Sequence, residues 1–280
     1  MREESVHKEH PVFKKPENEN IKIWRYMDFT KFVSMIDRRT MFFARTDRLG
    51  DKFEGSLSRK YYSPPSPEQL ALFKKALPKL AKIMMPDFPK KPDTEVYKAL
   101  RKWTVVNCWN MSEYESDALW KLYLKSDEGI AIQSTYRRLA DSFNNYHEND
   151  VYIGVVTYID YENEAIPFYI DETDIFGNLF FPFVYKRKSF EHEKELRAVI
   201  MKFPTAKIIT KSGEMNKEFL EADVFPNGLE VPVDLETLVE RVYVSPTSEK
   251  WFEELVTSVM KKYSFNKPVT KSPLANEPIF

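Results

Sequence analysis

The stretch Ser189-Phe190-Glu191-His192-Glu193-Lys194-Glu195-Leu196-Arg197-Ala198-Val199-Ile200 decides how this chain is read. From Glu193 onward, polar and apolar residues alternate with period two, the pattern of a β-strand with two unlike faces. The spacing puts Glu193, Glu195 and Arg197 on one face and Leu196, Ala198 and Ile200 on the other. The second face predicts a sheet with a covered side. Two carboxylates and a guanidinium in a row are costly to bury, so the first face is expected to meet a solvated cleft or to do chemistry. The plain structural reading is a strand face on which Arg197 offsets two neighbouring acids.

Outward from this strand, further elements follow. Ile21 to Tyr26 alternates as a strand, and Asp28 or Thr30 caps a helix whose apolar stripe is Phe32, Val33, Met35 and Ile36. Thr40 to Ala44 is a short strand, followed by a polar loop, Asp47 to Gly55. A helix from Thr94 to about Arg101 leads into the strand Thr104 to Trp109. Ser116 to Lys125 reads as a helix with Leu119, Trp120 and Tyr123 on one side, where core packing is the expected role of the two aromatics. Gly129 to Gln133 and Val151 to Ile159 read as strands, with a helix near Tyr136 to Phe143 between them. Ile175 to Val184 stays open between helix and extended chain. Arg241 to Val244 is a strand, Glu249 to Lys262 a helix, and Pro268 to Thr270 an extended piece.

Strands and helices intermix without βαβ regularity, which predicts an α+β fold. The expected organisation is a flexible lead-in over 1–20 and a single domain over 21–280. That domain has a mixed, mainly antiparallel sheet with flanking helices. A helical insertion is expected at about 66–101, with Leu70, Phe73, Leu77 and Leu80 turned inward.

Bulk properties remove several function classes. With 280 residues, 42% hydrophobic and 15% aromatic, the chain is globular. Lys plus Arg number 42 against 43 Asp plus Glu, so no overall charge points to nucleic acid or membrane. The single cysteine, Cys108, excludes an intrachain disulfide and a cysteine-based zinc site, and its strand context predicts a small buried thiol. The charged start, Met1 to His10, lacks the apolar run of a signal peptide, and no segment approaches the ~18 apolar residues of a membrane span. A cytoplasmic location is expected. Only 7 glycines occur, in neither the dinucleotide fingerprint nor the P-loop pattern, and there is no nucleophile elbow.

Three polar features remain on or beside strands. Arg25 and Tyr26 end the first strand, where a cation and a phenol suit a pyrophosphate or a ribose hydroxyl. Asn110, Ser112 and Ser116 follow the Cys108 strand as hydrogen-bonding groups, with helix capping the alternative role of Ser116. The face of Glu193, Glu195 and Arg197 is the third.

These features resemble a widespread prokaryotic family of unknown function, found partly in mobile and phage-defence contexts. The resemblance rests on Trp24-Arg25-Tyr26, Phe42-Phe43-Ala44-Arg45, Gly50-Asp51-Lys52-Phe53-Glu54, Cys108-Trp109-Asn110, Leu119-Trp120-Lys121-Leu122-Tyr123, Gly129-Ile130-Ala131-Ile132, Tyr185-Lys186 and Glu193-Lys194-Glu195-Leu196-Arg197, over residues 21–272. The chain departs from the family pattern at Gly50 and Lys52, where Asn and Pro are usual. The order of the three features is in turn similar, more remotely, to the ADP-ribosyltransferase fold. That resemblance implies NAD as substrate and an enzyme that consumes it as an ADP-ribosyltransferase or NAD glycohydrolase, in a phage-defence or toxin setting. It implies Glu195 and Glu193 as catalytic residues, and Arg25, Tyr26, Asn110, Ser112 and Arg197 as the NAD-holding set, with no metal. Asn110 stands where the fold's middle motif favours Ser. The implied partners are NAD, a protein or nucleic-acid acceptor, and an antitoxin or a second copy of the chain, with no membrane. Two other readings compete. One is a metal-dependent effector acting on nucleic acid, with Asp51, Glu54, Glu193 and Glu195 as oxygen ligands for Mg²⁺. The other is a non-enzymatic partner-binding module.

Overall fold

The structure is a computed structural model, and it describes residues 7–62, 94–124, 126–166, 177–208 and 216–280, with isolated positions between these spans. In chain order the elements are β1 (Lys22–Asp28), α1 (Phe29–Arg38), β2 (Thr40–Arg45), α2 (Thr94–Trp103), β3 (Thr104–Met111), α3 (Asp117–Tyr123), β4 (Gly129–Thr135), α4 (Tyr136–Asp141), β5 (Tyr152–Val155), β6 (Thr157–Ile159), α5 (Gly177–Val184), β7 (Tyr185–Arg187), β8 (Glu195–Met201), α6 (Lys217–Glu221), β9 (Leu229–Pro232), α7 (Leu235–Leu238), β10 (Arg241–Val244), α8 (Lys250–Lys262) and β11 (Val269–Lys271). Most of the expected insertion, including Leu70, Phe73, Leu77 and Leu80, lies outside the described residues; α2 forms its far end.

The main sheet runs β11-β10-β4-β1-β3-β2-β9, and β8 joins it against β3 with β5 beyond. Every pairing in it is antiparallel except β10 with β11, while β6 and β7 form a separate parallel pair. The fold is α+β with a mainly antiparallel sheet, as the intermixed elements predict.

One face of this sheet carries the main core. Ile23 and Met27 of β1, Ile130 and Ile132 of β4, and Leu196, Ala198 and Ile200 of β8 meet Phe32, Met35 and Ile36 of α1 and Phe252, Val256 and Met260 of α8. The period-two reading of β8 is therefore realised residue by residue on its apolar side. Helix α1 follows Asp28, which takes the cap position without a side-chain cap bond, and ends at Arg39 in the left-handed region.

The opposite face is divided. Helices α2 and α5 bury Leu100, Trp103 and Phe183 against Val106 and Val199. Helix α3 buries Leu119 and Trp120 against Trp24, Tyr26 and Ala131. Alternation along β3 and β8 places Cys108, Asn110, Glu195 and Arg197 on this same face, between the two clusters.

Three local details differ from the sequence reading. The acidic strand starts at Glu195, because Lys194 turns through φ 41° and Glu193 ends a 3₁₀ turn, Lys188–Glu193. The stretch Val151 to Ile159 is two strands, broken where the Val156 N–H bonds Glu195 O at 2.9 Å. The lead-in is packed from His7 onward. Its backbone bridges Val151, Val12 and Phe13 are buried, and a Cβ on Gly154 would lie 2.8 Å from Phe13 Cα.

Candidate functional site

The site begins with an irregularity in strand pairing. Strand β8 accompanies β3 along its whole length, from Thr104 opposite Met201 to Asn110 opposite Glu195. On the other edge of β3, β2 pairs only at Val105 and Val106, and β1 only at Asn110 and Met111. Between them Asn107, Cys108 and Trp109 have no registered strand partner on that edge. Side chains bridge this split. Arg25 Nη1 donates to Cys108 O at 2.8 Å, and Asn107 Nδ2 donates to Phe42 O at 2.9 Å.

Beside the split lies a buried ion network built by three chain segments. Arg197 Nε donates to Glu195 Oε1 at 2.7 Å, and its two terminal nitrogens donate to Glu54 at 3.0 and 3.2 Å. Arg197 Nη1 also reaches Phe183 O at 2.9 Å. Lys186 Nζ contacts Glu195 Oε2 at 3.1 Å, Glu54 Oε1 at 3.2 Å and Glu193 Oε2 at 2.6 Å. Next to it, Arg187 grips both oxygens of Asp51 at 2.6 and 3.1 Å.

Charge inside this network is fixed by competition. Burial raises the Glu195 carboxyl, but the Arg197 guanidinium and the Lys186 ammonium outweigh it and hold the group down to about 2. Burial likewise pushes the Cys108 thiol up, with the neighbouring Glu195 charge adding to it, so this thiol is inert at neutral pH. Three carboxylates, Glu54, Glu193 and Glu195, face two cations, Lys186 and Arg197, leaving the network with an excess negative charge.

Arg25 has the opposite balance. Burial is the main influence on its guanidinium and depresses it, and only Cys108 and Tyr123 act the other way. Among the described residues it has no carboxylate partner. Asn110 is 8% exposed and donates through Nδ2 to Glu193 O at 2.7 Å, while among the described residues its buried Oδ1 accepts from no group. Burial chiefly pushes up the phenol of Tyr123, at the end of α3, and the charges of Glu193 and Glu195 add to it. Along β3, Arg25 reaches the split at Cys108 O, Asn110 stands at its end, and Glu195 lies opposite Asn110 in the register.

Other expected site residues are taken up by structural partners. Tyr26 is buried, stacks edge-on against Trp120, and accepts from the Ser116 N–H at 2.8 Å. Its role is to seat α3 on β1. Ser116 caps α3 through Leu119 N at 3.3 Å, and Ser112 Oγ accepts only from Tyr114 N at 3.3 Å. Arg197 is 1% exposed and fully engaged by Glu54, Glu195 and Phe183, so the solvated face expected for Glu195 and Arg197 is in fact an interior. Asp51 and Glu54 point onto Arg187 and Arg197, and a metal bound by these acids would have to displace two guanidinium groups and an ammonium. Among the described residues no His, Cys, Asp and Glu cluster has the arrangement of a metal site, and no helix is long and apolar enough to cross a membrane.

No family model matches the chain, and no curated protein matches it. Among solved structures it is similar to Thermus sp. 2.9 DarT in complex with NAD+, with 9% identity and a TM-score of 0.40 over 94% of this chain and 100% of that one. It is also similar to the same protein in complex with ADP-ribosylated ssDNA, with 10% identity and a TM-score of 0.38 over 92% of this chain and 97% of that one. TM-scores at this level do not establish a common fold.

Two residues that act electrostatically on this group were read in the sequence but not counted among the candidate site residues. Lys186 lies on a three-residue strand, too short for its period to show, and only its place beside Tyr185 in the family-like pattern marked it. Tyr123 shares a helical face with Trp120, yet Trp120 is 2% exposed and Tyr123 46%. A separate cavity of about 730 Å³ lies at the Met201 end of β8, lined by Leu100, Trp103, Tyr152, Phe180 and Phe219 among others, with none of the residues around the split.

Proposed function

We propose that this chain is a NAD-consuming enzyme of the ADP-ribosyltransferase kind, with the split beside β3 as its substrate cleft. The observation that carries this reading is the charge pattern across the split. A half-buried guanidinium, Arg25, which among the described residues has no carboxylate partner, reaches the split at Cys108 O, and carboxylates outnumber cations in the network on the other side of β3. Its hydrogen bond to Cys108 O leaves other guanidinium donors open, so a ligand anion is a fitting partner for Arg25. NAD has the complementary pattern, a diphosphate and a positively charged nicotinamide joined through one ribose. Asn110 Oδ1, a buried acceptor with no donor among the described residues, suits a ribose hydroxyl.

The chemistry follows from this placement. The bond between ribose C1′ and the nicotinamide nitrogen breaks, its electron pair leaves with the nitrogen, and neutral nicotinamide departs. Positive charge develops at C1′, as in glycoside hydrolysis. The fixed negative charge of Glu195 and Glu193 stabilises it. An acceptor oxygen or nitrogen then bonds C1′ and gives up its proton, for which Glu193 has a carboxylate oxygen outside its contact with Lys186. With water as acceptor the result is NAD hydrolysis; with a protein or nucleic-acid group it is transfer. Either would serve a toxin or phage-defence effector acting in the cytoplasm, restrained by an antitoxin.

Thermal unfolding with NAD or Mg²⁺ tests the reading. NAD at 100 times its dissociation constant is expected to stabilise wild type by about 2.7 kcal/mol. Arg25→Gln is expected to abolish the NAD shift while moving the ligand-free midpoint little, because the hydrogen bond to Cys108 O is what the fold loses. A shift with Mg²⁺ and none with NAD would overturn the proposal in favour of the metal-dependent reading.

A further inference from the structure

We propose that Tyr158 is a positioning residue for the two candidate catalytic carboxylates, its hydroxyl holding the backbone turn that sets Glu193 against Glu195. This rests on the split being a NAD cleft.

The turn is strained and tightly held. Lys194 lies in the left-handed region, at φ 41° and ψ 57°, a conformation that costs a residue with a long side chain. Such a conformation persists only where its surroundings over-determine it. Five hydrogen bonds do so here. Lys194 N donates to Glu191 O at 3.1 Å, and Lys194 O accepts from Met111 N at 2.8 Å. Glu193 O accepts from Asn110 Nδ2 at 2.7 Å, and Glu195 O from Val156 N at 2.9 Å. The fifth is the Glu195 N–H, which donates to the Tyr158 hydroxyl at 2.8 Å.

Tyr158 comes from the small β6–β7 pair, where it stands directly opposite Lys186 in the register. That pair delivers two groups to one place. The phenol meets the Glu195 backbone, and the Lys186 ammonium meets Glu195 Oε2 at 3.1 Å and Glu193 Oε2 at 2.6 Å. One ammonium thus gathers both carboxylates while the phenol fixes the backbone that carries them. Tyr158 is half-buried, and among the described residues the Glu195 N–H is the one hydrogen-bond partner of its hydroxyl. Burial pushes this phenol up, so it stays neutral at physiological pH. It touches no reacting atom in the proposed chemistry and acts only through the glutamates. Placement is what it supplies, and a misplacement of about 1 Å in such a group can cost ~10²-fold in rate.

Nicotinamide release by the full chain, measured against NAD concentration with thermal unfolding alongside, tests this. Tyr158→Phe keeps the ring and removes the acceptor. The expected result is a kcat lower by about 10-fold or more, with KM for NAD within about 2-fold of wild type and a midpoint lower by only about 2–4 °C. Lys194→Val, whose β-branched side chain resists positive φ, should reproduce the loss of kcat. Lys194→Gly removes the same charge but accepts the turn, and should lose clearly less. A wild-type kcat in Tyr158→Phe would overturn the role while the cleft stands. So would kcat and KM worsening together with a collapsed midpoint, the mark of general damage to the fold. Equal losses in the two Lys194 variants would overturn it as well, since the turn would then not be what matters. If wild type releases no nicotinamide, the cleft reading falls and the role of Tyr158 with it.

Discussion

Arg197→Met is expected to destabilise the protein by about 3–5 kcal/mol, the range for removing one partner from a buried ion pair. Domains of this kind are stable by only about 5–15 kcal/mol in total, so the loss is large. Met keeps most of the stem's volume, and the effect comes from charge rather than from a cavity. Without the guanidinium, Glu54 and Glu195 lose contacts of 2.7–3.2 Å, and Lys186 is left alone among three carboxylates. The Phe183 carbonyl also loses its donor.

The sign of the pH dependence follows from Glu195, whose carboxyl is held at about 2 instead of 4.5. A depressed carboxyl contributes stability that is fully present above about pH 4.5 and is lost as pH falls toward 2. The shift corresponds to roughly 3 kcal/mol. In the variant the remaining carboxylates are under-compensated and prefer protonation, so the difference from wild type should narrow in acid. Urea denaturation at pH 7 and pH 4 measures both. A pH 7 stability within 0.5 kcal/mol of wild type would show that the network contributes little. Glu54→Gln combined with Arg197→Met should lose less than the sum of the two single changes, because the pair interacts directly.

How much of this was legible in the sequence depends on the range of each interaction. The apolar side of β8 was readable because alternation is local, and Leu196, Ala198 and Ile200 all lie in the core. The burial of its polar side was not, since Glu54 is 143 residues from Arg197 in the chain and no local pattern announces their meeting. Lys194 takes a left-handed turn with none of the Gly or Asn that would mark one, so the strand was extended two residues too far. Ile175 to Val184 resolved into a helix from Gly177, with Pro182 inside it, where an aromatic-rich run suits either conformation. Arg25 was visible as a cation at a strand end. Its lack of a carboxylate partner, which carries the functional reading, is a property of the fold alone.

Glu195→Gln is expected to lower NAD turnover by about 10²-fold or more, the scale of losing a preorganised electrostatic group. Removing this charge leaves Glu54 and Glu193 against Lys186 and Arg197, two against two, and the excess negative charge that would stabilise C1′ disappears. Because Glu195 is 3% exposed and both its oxygens are engaged, the same substitution also lowers stability, unlike a change on a solvated face. Glu193→Gln removes the same net charge from a more outward position, where among the described residues Lys186 is the only side chain bonded to the carboxylate. Its stability should move less. In the proposed mechanism Glu193 takes the acceptor's proton, so its loss should slow transfer to an acceptor more than hydrolysis of NAD. The two variants are therefore distinguishable by the ratio of transfer to hydrolysis and by their unfolding midpoints. Nicotinamide release and labelled ADP-ribose incorporation, measured on protein shown to be folded, give the ratio. Small and equal effects of both substitutions on an active wild type would remove the carboxylates from the mechanism and leave the network a purely structural element.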